Sequence, residues 1–327
     1  MAQANISAID KRQGRPRKSF RAILRANSGF LFVAPAMLIF LVFGLYTVIY
    51  SGVLSFFRWN GYGDFSLIPF KCGPPSCQFV GLDNFTEFLF VNPTESHYFW
   101  QSIQNNIIIA VVVTIGTIVI ALPLATALSR AMRFQGLLRT LIMLPTVTAG
   151  IAIYYVWSFI FQSDGLLNNI LGTFGLGFLQ AKQGWLSQSD RALPALMIVM
   201  IWGAVPFATI LYMAGIQTIN RELYESGILD GANALQLLWH ITWPLLYPIT
   251  VIITITSINN AFQGYEMVYL MTGGGPAGHT EVVGLQVFEY GFGSSQQLGL
   301  ASAMSWLLFL VVFIIALINL RFFRAKD

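Results

Sequence analysis

Apolar residues run through this chain in six long blocks, roughly 29–57, 103–128, 137–161, 193–216, 245–270 and 298–322. An α-helix rises about 1.5 Å per residue, so a hydrocarbon core of about 30 Å is crossed by about 20 apolar residues. Each block meets that length, and within lipid a helix satisfies every backbone N–H and C=O by itself. The pattern predicts an all-α integral membrane protein with six transmembrane helices, a membrane domain over 29–323 and a basic cytoplasmic tail over 1–28. Pro145 falls inside the third block, where it predicts a kink that packed neighbours must support.

Two polar patterns interrupt the apolar ones. Between the fourth and fifth blocks, residues 221–244 carry Glu222, Glu225 and Asp230. A carboxylate at the bilayer centre costs roughly 2.5–3.5 kcal/mol, so this segment is expected to face water or a protein partner. Its spacing is helical as far as Asp230-Gly231, where a turn is cheap. Within the fifth block, Thr256, Asn259, Gln263 and Glu266 recur at intervals of three and four, which predicts one polar face of one helix. Such a face turns to the bundle interior or an aqueous cavity; the alternative is that it only bonds neighbouring helices.

Composition changes the picture little. The 327 residues are 56% hydrophobic and 10% charged, with a mean hydropathy of +0.66, whereas a soluble domain is about a quarter charged. The net charge of +4 is informative through its placement. Fourteen of the 18 Lys and Arg lie before the first block, around the second-to-third connection, after the fourth, or after the sixth; only Arg58, Lys71, Lys182 and Arg191 lie elsewhere. Positive charge marks the cytoplasmic side, so both termini and the 221–244 segment are expected inside the cell. No basic groove for nucleic acid is implied. The basic tail is read as fixing topology, with contact to membrane lipid head groups as the alternative. The first block is too long for a signal-peptide core and is expected to be retained. Cys72 and Cys77 share an outer loop where oxidation is permitted; they are read as linked or solvent-accessible, without a catalytic role, and no metal-ligand spacing accompanies them.

Residues 221–248 read RELYESGILDGANALQLLWHITWPLLYP. This spacing resembles the EAA loop of ATP-binding-cassette (ABC) importer permeases, with Glu225, Gly231, Ile241 and Pro244 in register. Ser226 and Gly227 replace the family's two alanines, and Trp243 replaces its leucine. Leu223-Tyr224-Glu225, Asp230-Gly231-Ala232 and Pro244-Leu245-Leu246 look like the carbohydrate-uptake (maltose/oligosaccharide-type) branch. Phe79–Phe85, Leu144-Pro145 with Trp157, Trp185-Leu186, and Thr272-Gly273-Gly274-Gly275-Pro276 with Thr280 resemble further segments of that branch. The resemblance implies a permease subunit of an ATP-driven importer that translocates a sugar, oligosaccharide or related polyol across a prokaryotic plasma (inner) membrane. As partners it implies a second homologous permease, two cytoplasmic ATPase subunits and an extracytoplasmic solute-binding protein. It also implies that Tyr224, Glu225, Ser226, Gly227, Asp230, Gly231 and Ala232 form a coupling helix and turn that meets an ATPase.

The chain holds no Gly-Lys-Ser or Gly-Lys-Thr, so no enzymatic activity and no cofactor are expected on it, with ATP and Mg on partner subunits. His97, His240 and His279 are too scattered for a metal site or a nucleophile–base pair. A solute leaving water needs its hydroxyl hydrogen bonds replaced, which makes Asn259, Gln263 and Glu266 the substrate-path candidates, with Phe262, Tyr265 or Trp306 as a ring for a sugar's C–H face. The competing reading is a self-sufficient secondary transporter or channel for a small polar solute. That class often shows inverted repeats and discontinuous helices, which the sequence does not display.

Overall fold

A computed structural model describes residues 28–67, 70–73, 77–129, 135–148, 150–294 and 296–324. The expected basic tail as far as residue 27, and Arg130 and Arg133 of the second-to-third connection, lie outside these residues. The chain divides into two compact units, Met1–Ser51 and Gly52–Asp327. Helix α1 (Ser28–Ile39) passes through one π turn (Phe40–Leu45) into α2 (Tyr46–Leu54). The most apolar window of this stretch buries no side chain, and Phe32 and Phe43 are among the most exposed residues. Apolar surface of that extent without a protein cover is suited to lipid or to a partner helix.

The loop after α2 departs from the all-α expectation. It contains four three-residue strands, β1 (Phe57–Trp59), β2 (Phe65–Leu67), β3 (Phe70–Cys72) and β4 (Cys77–Phe79), paired antiparallel as β1 with β4 and β2 with β3. A disulfide joins Cys72 to Cys77 where β3 gives way to β4. The first residue of each of β1, β2 and β4, namely Phe57, Phe65 and Cys77, is buried, and the Phe57 and Phe65 rings pack at 5.3 Å, so the strands cover a small apolar cluster. Asn84 of the short helix α3 (Asp83–Thr86) donates to the carbonyls of Ser55 and Phe57, tying this loop together.

The core is built on α4 (Pro93–Ser129). Its buried positions Phe99, Ser102, Asn106, Ile109, Val113, Thr117, Ala121, Ala125 and Leu128 recur every three or four residues and form one face. The third apolar block is two helices, α5 (Gln135–Val147) and α6 (Gly150–Ile160), bent by 101° where a kink at Pro145 was expected. Proline lacks the N–H that would close the turn, and the Thr146 and Thr148 hydroxyls bond back to the Met143 and Leu144 carbonyls just after it. A surface helix, α7 (Leu166–Thr173), precedes α8 (Ala192–Ile216), which packs along α4. At their contact a Cβ on Gly116 would lie 2.6 Å from Ile201 Cδ1, so the missing side chain sets the approach.

The fifth block differs most from expectation. After α9 (Arg221–Leu229) come α10 (Ala234–Leu237), a π turn (Leu238–Thr242), α11 (Trp243–Leu245) and α12 (Tyr247–Gln263), with a bend of 74° before α12. Helix α12 stops at Gly264, and α13 (Tyr265–Met271) starts afresh. Helix α14 (Val283–Phe292) and the long α15 (Leu298–Arg324) complete the chain. Among the described residues four helices are long and apolar enough to cross a membrane, or up to six if each bent pair counts as one span.

Candidate functional site

The charged segment after α8 folds as a compact helical hairpin. Asn220 caps α9 by accepting from the Glu222 N–H at 3.1 Å, and Glu222 in the first turn suits the positive end of the helix. At the other end the Ala232 N–H donates to the Gly227 carbonyl at 2.9 Å and the Gly231 N–H to the Ile228 carbonyl at 3.0 Å. These are the two bonds of a Schellman motif, and Gly231 at φ +81° occupies its left-handed position. The chain then restarts at once: Asn233 accepts from the Gln236 N–H, and the Gln236 side chain accepts from the Asn233 N–H, a full capping box.

Packing makes the hairpin rigid. A Cβ on Gly227 would lie 2.7 Å from Leu237 Cδ2 and 3.0 Å from Ile241 Cδ1, so the small residue lets α9 sit closely on the returning segment. Tyr224 and Thr242 hydroxyls meet at 3.0 Å across the same contact. Pro244 has no N–H to give the His240 carbonyl, and the chain takes up a π turn before it, with Trp243 N–H reaching the Leu238 carbonyl. On the opposite face Glu225, Ser226, Leu229 and Asp230 are exposed, Leu229 at 87%. Glu225 makes no hydrogen bond or ion pair with any described residue. Between this hairpin and the end of α4 lies a groove of about 710 Å³ lined by Thr126, Ser129, Tyr224, Ile228, Leu235 and Leu238.

The second feature is a cavity of about 460 Å³ where the two interrupted blocks meet. Thr148 and Gly150 from the α5–α6 bend line it, as do Tyr154, Trp202 and Gly203, and Asn260, Gln263, Gly264, Tyr265 and Glu266 around the α12–α13 break. Non-helical backbone inside a membrane domain is tolerated where protein or water, rather than lipid, surrounds it. A Cβ on Gly264 would crowd the Asn260 carbonyl at 2.9 Å, which accounts for glycine at the break.

The expected polar stripe is therefore split. Gln263 and Glu266 line the cavity but belong to different helices. Asn259 stands one turn back and accepts from the Gln263 amide at 3.0 Å, while the Thr256 hydroxyl bonds carbonyls of its own helix. Of the aromatic candidates, Tyr265 lines the cavity and stacks on Phe288; Phe262 is 1% exposed in the core, and Trp306 packs on Phe309, so neither of these two reaches it.

Two residues with no assigned role in the sequence reading hold this region in place. Asn106, fully buried in α4, donates to the Ala261 carbonyl at 2.8 Å and accepts from the Val283 N–H at 3.0 Å. Its neighbour Asn105 donates to the Glu281 carbonyl at 2.8 Å. An Asn-Asn pair just before the apolar run that begins at Ile107 was the available signal. Between them and α14 lies the glycine-rich turn, where Gly273, Gly274 and Gly278 have positive φ and Thr280 bonds Gly275 and Thr272. Burial, with a smaller contribution from the Glu289 charge, pushes the Glu281 carboxyl in this turn up to about 7. Among the described residues no three His, Cys, Asp or Glu side chains converge to hold a metal.

A helical membrane domain with a cavity at broken helices, and a rigid hairpin exposing unpaired charge, defines a transport subunit. Residues 117–326 match the family described as "Binding-protein-dependent transport system inner membrane component", and the chain belongs to that family. It is 31% identical to the lactose transport system permease protein LacF of Rhizobium radiobacter, over 95% of this chain and 98% of that one. It is also 31% identical to the probable ABC transporter permease protein YurN of Bacillus subtilis, over 90% and 95%. The trehalose/maltose transport system permease protein MalF of Thermococcus litoralis is 29% identical, over 92% and 95%. In fold the chain is similar to a chain of a bacterial ABC transporter that imports the acidic polysaccharide alginate, with a TM-score of 0.75, 21% identity, and 94% and 99% of the two chains covered.

Proposed function

We propose that this chain is one permease subunit of an ATP-driven importer that carries a sugar, oligosaccharide or related polyol delivered by an extracytoplasmic binding protein. The observation that carries the reading is the cavity at the α5–α6 and α12–α13 interruptions, where Asn260, Gln263 and Glu266 present hydrogen-bonding groups inside an apolar domain. Relatives named for lactose and for trehalose and maltose, matched over nearly their whole lengths, support a saccharide as the solute.

In this reading the chain crosses the prokaryotic inner membrane six times with both termini inside, in line with its Lys and Arg placement. The α9 hairpin then lies in the cytoplasm, and its face bearing Glu225, Ser226 and Asp230 docks on an ATPase subunit. A second permease faces the cavity, two ATPases supply ATP hydrolysis with Mg, and the binding protein docks near the Thr272–Thr280 turn. Discontinuous helices also occur in secondary transporters, but such a transporter has no use for a separate docking hairpin.

Alanine at Gln263 and Glu266 removes the cavity's longest polar groups and should slow solute uptake at least tenfold while the complex still assembles; alanine at Asn259, whose carbonyl orients Gln263, should slow it less. Uptake measured in cells at matched expression tests this, and unchanged rates in all three variants would reduce these residues to helix packing.

A further inference from the structure

Charge around the cavity narrows the solute further, an inference that rests on the cavity being the solute path. Among the described residues that line it are Thr148, Tyr154, Ser257 and Tyr265 with their hydroxyls and Asn260 and Gln263 with their amides, all uncharged; Glu266 is the one acidic residue among them, and none is Lys or Arg. The absence extends well beyond the cavity. From Arg221 to Arg321 the sequence contains no other Lys or Arg, so α12, α13 and α14, and α15 as far as Arg321, offer no cation. The cations elsewhere in the described residues are partly committed: Arg58 pairs with Glu87 at 3.2 Å, Arg139 donates to the Leu128 carbonyl, and Arg191 lies 5.2 Å over the Trp185 ring.

A carboxylate is a natural acceptor for two adjacent hydroxyls of a sugar ring, and amides supply donor and acceptor together. The same carboxylate repels a uronic acid, whose charge would lose its water here without gaining a counter-ion from this chain's lining of the cavity. We propose that the cavity selects uncharged saccharides and rejects uronate-bearing ones, with Glu266 both binding vicinal hydroxyls and excluding the anions. The fold likeness to the alginate importer thus does not extend to an acidic substrate.

The test uses the purified importer, both permeases with their ATPases, in lipid nanodiscs without the binding protein, so that solute choice upstream plays no part. Equilibrium binding of radiolabelled maltotriose and of tri-galacturonate is measured for the wild type, Glu266→Gln and Glu266→Arg, at low and high salt. The proposal expects maltotriose to bind at least tenfold more tightly than tri-galacturonate, with a gap that shrinks with salt. It expects Glu266→Gln to weaken maltotriose and narrow the gap, and Glu266→Arg to close or reverse it. Equal or tighter binding of the uronate by the wild type overturns the charge selection while leaving a saccharide path standing. Binding of neither sugar, or binding of both that ignores position 266, overturns the cavity as the solute site and the proposal with it.

Discussion

At Gly231 a single φ of +81° decides how a helix ends, and at Glu281 a single burial decides a charge. No Cβ contact forbids a side chain at Gly231; the conformation does, because an L-residue there costs about 1–2 kcal/mol. This was legible in the sequence, since Asp-Gly after a helical run is a turn signal with a mechanism. The Glu281 environment was not, because its burial depends on α4 and α14 closing around the turn. Its pH consequence follows in sign. The folded value, about 7, lies above the ordinary 4.5, so the protonated acid is the form that favours folding of the turn. That contribution is complete below about 4.5 and is lost as pH rises through about 7. Allowing for partial exposure, the loss is about 2 kcal/mol. Amide exchange in residues 272–282 should therefore be slower, relative to the intrinsic rate, at pH 5 than at pH 8, and Glu281→Gln should abolish the difference. Equal protection at both pH values in the wild type would show that Glu281 does not control the turn.

Among elements, the apolar blocks marked where helices would run but not where they would break. Hydropathy averaged over a block does not register one glycine, so Gly264 was read through, and the stripe from Thr256 to Glu266 was assigned to one helix. The bend after Pro145 was anticipated in place but not in size, because its angle depends on packing that periodicity does not encode. Three-residue strands such as β1 and β4 are too short for a period-two signal, which hid the two small sheets in the loop after α2. What holds the α12–α13 break to α4 is Asn106. Replacing it with Leu keeps the volume but leaves the Ala261 carbonyl and the Val283 N–H buried without their partner, a loss of roughly 2–5 kcal/mol. The assembled, detergent-purified complex should unfold at least several degrees lower with Asn106→Leu, whereas Leu at the exposed Val111 of the same helix should change little. Equal melting of the two would remove Asn106 from the account.

For the whole molecule, the central claim is that work enters through the α9 hairpin. A chain without a phosphate-binding loop must receive ATP-derived motion by contact, and a contact transmits motion only if it is stiff. The stiffness has visible causes: the cap at Asn220, the Schellman turn at Gly231, the capping box, and the close seat of Gly227 on Leu237 and Ile241. Resemblance points to Tyr224–Ala232 as the coupling segment, and in the structure Tyr224 bonds Thr242 and Gly231 ends α9 in a left-handed turn. Gly231→Leu strains the turn, and Glu225→Lys reverses charge on the exposed face, so both are expected to break the link to the ATPase by different routes. The measurement that bears most directly on this is ATP hydrolysis by the reconstituted importer, with and without solute-loaded binding protein, for the wild type and both variants. The account predicts that stimulation by the loaded binding protein falls to the basal rate in both variants, while solute binding by the isolated binding protein is unchanged. Wild-type stimulation in both variants, in complexes that assemble normally, would contradict it.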